Sequence, residues 1–263
     1  MVTEPLPMTS RIPPGLTSEA WHLFGVFAAA IFWVIVNAFP LLTASVLAVG
    51  AVVLTGTVDP AKAFAGFANS SVLLVVIAFL VANAVVKSGL GRRISLLVVS
   101  AFGRSTLGLA YSIFFTDALI APAFPSNTAR AGVLYPIILS LAQNAGSRPE
   151  DAGTRRMGGY LMFCGMASLS VSSALWLTAT SANPIGVSLA AQSGVKIAFG
   201  TWLLASSVPS LATILLLPLI LAWLFPPGVT DTPDAPAMAR KELDSMGPLA
   251  RDEWIVAVTF AVM

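Results

Sequence analysis

Residues Thr116–Pro136, TDALIAPAFPSNTARAGVLYP, decide how this chain is read. They lie in a chain apolar enough for a bilayer, yet Pro122, Pro125, Ser126, Asn127 and Thr128 interrupt any lipid-facing helix, and Asp117 and Arg130 flank the interruption. Backbone that leaves the helix at membrane depth is tolerated only where it is buried in protein or lines a water-filled cavity, because each unpaired N–H or C=O there costs several kcal/mol. A binding site is the economical explanation.

Working outward, composition sets the class. Of 263 residues 57% are hydrophobic and 10% charged, and the mean hydropathy is +0.87, the values of a polytopic membrane protein. A formal net charge of +2, with basic residues at the ends of apolar runs rather than along one stripe, excludes a nucleic-acid partner. The one cysteine, Cys164, forbids an intrachain disulfide and, between apolar neighbours, reads as a small buried hydrophobe. His22, the one histidine, sits beside Trp21 at the start of a run and cannot build a histidine metal site alone. No nucleophile–base pair, HExxH or GxSxG element assembles, so the chain is not read as an enzyme. No cleavable signal peptide is evident in the polar, proline-rich segment 1–19.

Apolar runs fall at about 20–37, 40–56, 71–90, 105–121, 129–145, 157–198 and 202–225, and another begins near Glu253. Most approach the ~20 residues that a helix needs to cross ~30 Å of hydrocarbon. The run 157–198 is too long for one span and is interrupted by TATSANP, Thr178–Pro184, which makes a second break at membrane depth. This predicts a membrane domain over 20–225, a cytoplasmic loop over 226–252 with a short amphipathic segment near 236–246, and the start of a further transmembrane helix at 253–263. Lys87 and Lys196, near run ends, read as side chains snorkelling to the interface.

Arg92, Arg93 and Arg104 precede the pair of runs around Ser126, and Arg148, Arg155 and Arg156 follow it, so both flanks read as cytoplasmic. Two full spans would satisfy that count. The polar break in place of an aqueous loop favours a re-entrant helical hairpin over about 105–145, with 92–104 lying along the interface. The run 157–198 then crosses outward and 202–225 returns, which places Arg240, Lys241 and Arg251 on the cytoplasmic side.

In a discontinuous membrane helix, the N–H groups at a half-helix N-terminus suit a carboxylate and the carbonyls at a C-terminus suit a sodium ion. Ser126, Asn127 and Thr128 carry both kinds of partner, and the N–H groups of Thr128, Ala129 and Arg130 are expected to point at the tip. The alternative is a polar turn capped by Ser126 and Thr128 with no ligand. Arg130 either attracts an anionic substrate, with Asp117 holding it in place, or forms with Asp117 a structural ion pair.

Several separated, ordered motifs carry a resemblance: GFANSSVLLVVIAFLVANAVVKSGLGRRIS from Gly66, STLGLAYS from Ser105, DALIAPAFPSNTARAGVLYPI from Asp117, and SSALWLTATSANPIG from Ser172. Together with the loop from Pro226 they resemble the divalent anion:sodium symporter family, in the branch of 2-oxoglutarate/malate, citrate/succinate and tartrate/succinate translocators. The resemblance runs from about Ile12 to the C-terminus. It implies one half of an inverted-repeat, elevator-type carrier of di- or tricarboxylates, working by exchange or sodium symport. Matched onto the family's motif, Asn127 and Thr128 are the expected substrate-binding residues, and the anion-attracting reading of Arg130 adds it to them. Ser126 and Asn127, with Thr178, Thr180 and Asn183 of the second break, are the expected ligands of a coupling sodium ion. The TATSANP break departs from the glycine- and proline-rich version in sodium-coupled members. Also implied are a dicarboxylate substrate, a bilayer as partner, a location in the bacterial inner (plasma) membrane, no catalytic cofactor, and a homodimer when full-length.

A complete family member carries a second, inverted half, whereas this sequence stops at Met263 just inside an apolar run. The expectation is therefore that the chain, expressed alone, does not transport. Two rival classes are a non-transporting membrane assembly subunit, which needs no polar breaks inside its helices, and a carrier of another anion built from similar hairpins.

Overall fold

A computed structural model describes residues 12–68, 70–144, 146–148, 150–151 and 155–262. Among these, every regular element is helical, and the single extended pairing is an isolated bridge between Ser105 and Asp231. Residues 1–11 of the polar N-terminal segment, residue 145 at the end of the expected hairpin, and Met263 lie outside the described set.

The chain divides into two compact units, Met1–Leu73 and Leu74–Met263. In the first, α1 (Ser18–Ile35) starts where the Thr17 hydroxyl accepts the Ala20 N–H at 3.2 Å, satisfying one of the first-turn donors that a helix leaves unpaired. It packs against α2 (Leu41–Leu54), which begins after Pro40. A four-residue helix α3 (Pro60–Ala63), capped by Asp59, and a 3-10 turn over Ala65–Ala68 complete the unit before α4 (Ser70–Ser88).

The second unit holds most of α4 and everything after it. Gly89, in the left-handed region at φ 81°, turns the chain from α4 into α5 (Leu90–Phe102), a conformation that suits a residue without Cβ. Then follow α6 (Thr106–Ile120), a 3-10 turn over Ala121–Ala123, α7 (Asn127–Asn144), α8 (Arg155–Leu175), α9 (Ala182–Gln192), α10 (Phe199–Leu224), α11 (Ala235–Met246) and α12 (Arg251–Val262). At the centre stands α8, which packs on α6, α7 and α10, and α5 packs on α6 and α11. Leu109, Phe114, Phe124, Leu134, Tyr160 and Leu161 are buried in the core between them.

Among the described residues, four helices are long and apolar enough to cross a membrane: α1, Thr106–Ala123, Arg156–Leu175 and α10. The architecture is that of an all-α polytopic membrane protein. The second break lies at Trp176–Ser181, slightly earlier than the sequence alone placed it, because Ala182, Asn183 and Pro184 already belong to the first turn of α9, where proline is tolerated.

The segment after α10 is tied to the entrance of α6. Thr106 donates its N–H to Thr230 O at 2.9 Å and its hydroxyl to Val229 O at 2.6 Å, and Thr232 donates to Arg104 O at 3.0 Å and Gly103 O at 2.8 Å. Arg93 bridges both Glu253 oxygens and Gly247 O. The amphipathic segment, α11, accordingly packs on α5, with Pro236 and Ala239 buried.

Candidate functional site

The site is built from two interruptions that meet. Pro122 and Pro125 remove two backbone donors, so α6 tightens into a 3-10 turn and the chain extends at Phe124 before re-entering helix at Asn127. Opposite, α8 ends at Leu175 and α9 begins at Ala182. Ser181 N–H donates to Pro125 O at 3.0 Å, and the Thr178 hydroxyl donates to Pro122 O at 3.0 Å. Trp176 Nε1–H reaches back to Ala118 O at 2.8 Å. Backbone carbonyls freed by one break are thus satisfied by donors of the other, as a low-dielectric interior requires.

At the tip, Ser126 caps α7: its hydroxyl accepts Ala129 N–H at 3.3 Å and its carbonyl accepts Arg130 N–H at 3.1 Å. The N–H groups of Ala129 and Arg130 point at the tip as expected, but Ser126 engages both, so neither is free for a ligand. The N–H groups of Asn127 and Thr128, in the first turn and without intrahelical acceptors, remain, and both residues are exposed.

Arg130 turns the other way. It is fully buried, with Nε 3.6 Å from Oδ1 of the equally buried Asp117, the arrangement of the structural-pair reading. Its Nη2, with two hydrogens to share, has three acceptors in reach: Asn127 Oδ1 at 2.7 Å, Leu169 O at 2.9 Å and Ser173 Oγ at 2.6 Å. Ser172 donates to the other Asp117 oxygen, Oδ2. Arg130 Nε and Nη1, Asp117 Oδ1 and Thr116 Oγ1 have no hydrogen-bond partner within the 3.5 Å of an ordinary bond. A buried pair kept at such cost is characteristic of ionisable residues that membrane proteins hold at functional positions.

The second-break residues also serve structure. Asn183 Nδ2 donates to Ser173 O at 2.8 Å and Trp176 O at 3.1 Å, closing the last turn of α8, and its N–H donates to Thr180 O at 3.3 Å. The structure therefore joins Asn127, Arg130 and Ser126 in one cluster and Thr178, Thr180 and Asn183 in another, with Pro125 and Ser181 as the seam. Ser172, Ser173, Leu169 and Trp176 were not singled out as site residues. Their only signal in the sequence is a polar recurrence at Ser168, Ser172 and Ser173, one helical turn apart in an apolar run.

A cavity of about 820 Å³ flanks the second break between Ile94, Leu119, Pro122, Trp176, Thr178 and Phe199. Its walls are largely apolar and exclude Asn127 and Thr128, so polar chemistry resides at the tip. A helix N-terminus with two free N–H groups, an exposed amide and an exposed hydroxyl can bind an anion.

A pair of helix breaks interlocked inside an apolar helical bundle is an arrangement that membrane carriers use at their binding sites. The sequence matches the family described as the sodium:sulfate symporter transmembrane region over residues 6–263, and the chain belongs to that family. Its relatives include a putative malate transporter, YflS, of Bacillus subtilis, 39% identical over 95% of this chain and 53% of the relative. The chloroplastic dicarboxylate transporter 2 of spinach is 42% identical over 94% of this chain and 44% of the relative. The citrate/succinate antiporter of Escherichia coli K12 is 35% identical over 92% and 54%. The chain thus spans about half the length of these curated relatives. They are transporters, not enzymes, and the protein is an integral membrane protein.

Proposed function

We propose that this chain forms one half of a di- or tricarboxylate carrier of the bacterial inner membrane, and that Asn127 and Thr128 at the start of α7 receive a substrate carboxylate. The observation that carries this reading is the seam between the breaks, with Ser181 N–H on Pro125 O at 3.0 Å, which leaves the α7 N-terminus exposed and unpaired beside it. α6 and α7 are a re-entrant hairpin entering from the arginine-rich side, and α8 with α9 is the discontinuous helix. A second, inverted half supplies the other carboxylate's donors, the working protein is a homodimer, and transport follows an elevator-type alternation. Malate, 2-oxoglutarate, succinate, tartrate and citrate form the substrate class, supported by the names of the relatives.

Arg130 acts through Asn127 in this reading, because its guanidinium is enclosed and already bonded to the Asn127 oxygen. Thr178, Thr180 and Asn183 offer oxygens for a sodium ion, and because Thr178 and Asn183 only donate into the backbone, their side-chain oxygens keep lone pairs for it. The antiporter among the relatives favours exchange over sodium symport.

The test is counter-exchange of labelled dicarboxylates in proteoliposomes carrying the gene's full-length product, with and without an inward sodium gradient. Uptake that needs internal dicarboxylate and ignores sodium is expected. Absence of uptake for every member of the substrate class would remove the reading.

A further inference from the structure

We infer that the cavity between α7, α8 and the end of α10 is a site for an anionic phospholipid, with the phosphate on Arg156 and an acyl chain laid along Gly159 and the Phe163–Phe225 pair. The inference goes beyond the carboxylate site and does not rest on it.

The cavity holds about 640 Å³. It lies where α7 ends, α8 begins and α10 ends, on the side that the arginine pattern assigns to the cytoplasm. Its walls are mostly apolar, with Leu139 from α7, Met162 and Phe163 from α8, and Leu224 and Phe225 at the close of α10. The rings of Phe163 and Phe225 stack with centroids 4.9 Å apart and planes 7° from parallel, and both remain exposed. Apolar area of this kind is stabilised by a hydrocarbon chain. Gly159 keeps the wall open. A Cβ added there would meet nothing within 4 Å, whereas at Gly158 it would lie 2.7 Å from Ser147 Oγ, so the loop is packed against α8 at 158 while space remains at 159.

The mouth is basic. Among the described residues that line the cavity, Arg156 alone is charged and none is acidic. Its stem passes Gly228, with Cδ 3.9 Å from where that glycine's Cβ would stand, and its guanidinium makes no hydrogen bond or ion pair among the described residues. Gln143, exposed near the end of α7, likewise has an unbonded side-chain amide. The Gly158 N–H is already held by Ser147 Oγ at 3.1 Å, so an anion here falls to Arg156 and Gln143 rather than to the helix end. A guanidinium fork matches the oxygens of a phosphate. Apolar depth under a basic mouth, between membrane helices at the cytoplasmic leaflet, is the form of an anionic-lipid pocket. A free anion would leave the aromatic wall unused, and a protein segment filling the cavity would have to bring its own carboxylate to Arg156.

Dioleoyl phosphatidylglycerol and dioleoyl phosphatidylcholine, titrated separately into the full-length product in detergent, test this by thermal melting, because a ligand of the native state raises the melting temperature. Phosphatidylglycerol should act with about fivefold higher apparent affinity than phosphatidylcholine, the preference expected of one arginine near an anionic headgroup. Arg156→Gln should erase that preference. Gly159→Leu, whose side chain fills the cavity, should abolish the response to both lipids without melting lower than the wild type in their absence. A lipid response that Gly159→Leu leaves intact, or a preference that Arg156→Gln leaves intact, would overturn the inference. So would a wild type indifferent to both lipids, the result expected if the second half of the protein covers the cavity. Should Gly159→Leu fail to fold, a photoactivatable phosphatidylglycerol decides with the wild type: crosslinks on Gly159, Phe163 or Phe225 support the site, and crosslinks confined to other segments overturn it.

Discussion

At the scale of single residues, the Asp117–Arg130 pair governs the site without facing it. Both side chains are fully buried, and their attraction must offset a desolvation cost that in proteins is still several kcal/mol per ion. Removing one partner strands the other. Asp117→Asn is expected to cost about 3–5 kcal/mol, and the double change Asp117→Asn with Arg130→Met distinctly less than the sum of the two single changes. Thermal melting in detergent reads this; additive losses would contradict it. Ser126, Asn127 and Thr128 were legible in the sequence because polar residues and prolines at membrane depth break a strong rule. The direction of Arg130 was not legible, because charge and position suit an inward pair and an outward anion site equally. Ser172 and Ser173 escaped notice for a related reason: a serine in an apolar helix is cheap to bury because its own i−4 carbonyl is always within reach, as it is for both, so its presence carries little information.

At the scale of elements, the entrance to the hairpin is a close-packed corner. Gly108 has no room for a side chain, since an added Cβ would lie 2.0 Å from the carbonyl oxygen of Phe102, and its N–H is held by Ser105 Oγ at 3.1 Å. Gly108→Ala must displace backbone where α5 meets α6. A loss of about 1–3 kcal/mol is expected by chemical or thermal melting, and a variant as stable as the parent would contradict the packing. The helices themselves follow the apolar runs closely, since hydropathy is the strongest signal a membrane sequence has. What the runs could not convey was partnership. The segment near 236–246 reads as amphipathic, but whether its apolar stripe meets lipid or protein depends on α5, from which more than a hundred residues of chain separate it. The structure resolves this through the packing of α11 on α5 and the Arg92–Glu242 ion pair between them. Likewise TATSANP marks a break, while the choice of Pro125 O and Pro122 O as its partners is a matter of tertiary placement.

At the scale of the whole molecule, the chain is an integral membrane protein of the sodium:sulfate symporter family that covers about half the length of its relatives. Many large apolar side chains on α1, α2, α4 and α10 are exposed, as expected of surfaces that meet lipid or further protein within a bilayer. Substrate protection examines the seam between the two breaks most directly. Ala182 is exposed at the start of α9, next to Ser181, whose N–H holds the hairpin tip, while the native Cys164 is buried. In membranes containing the full-length product with Ala182→Cys, maleimide should label this position, and millimolar malate or succinate should slow the labelling several-fold. Labelling at the same rate with and without every dicarboxylate of the class would contradict the placement of the substrate site at this seam.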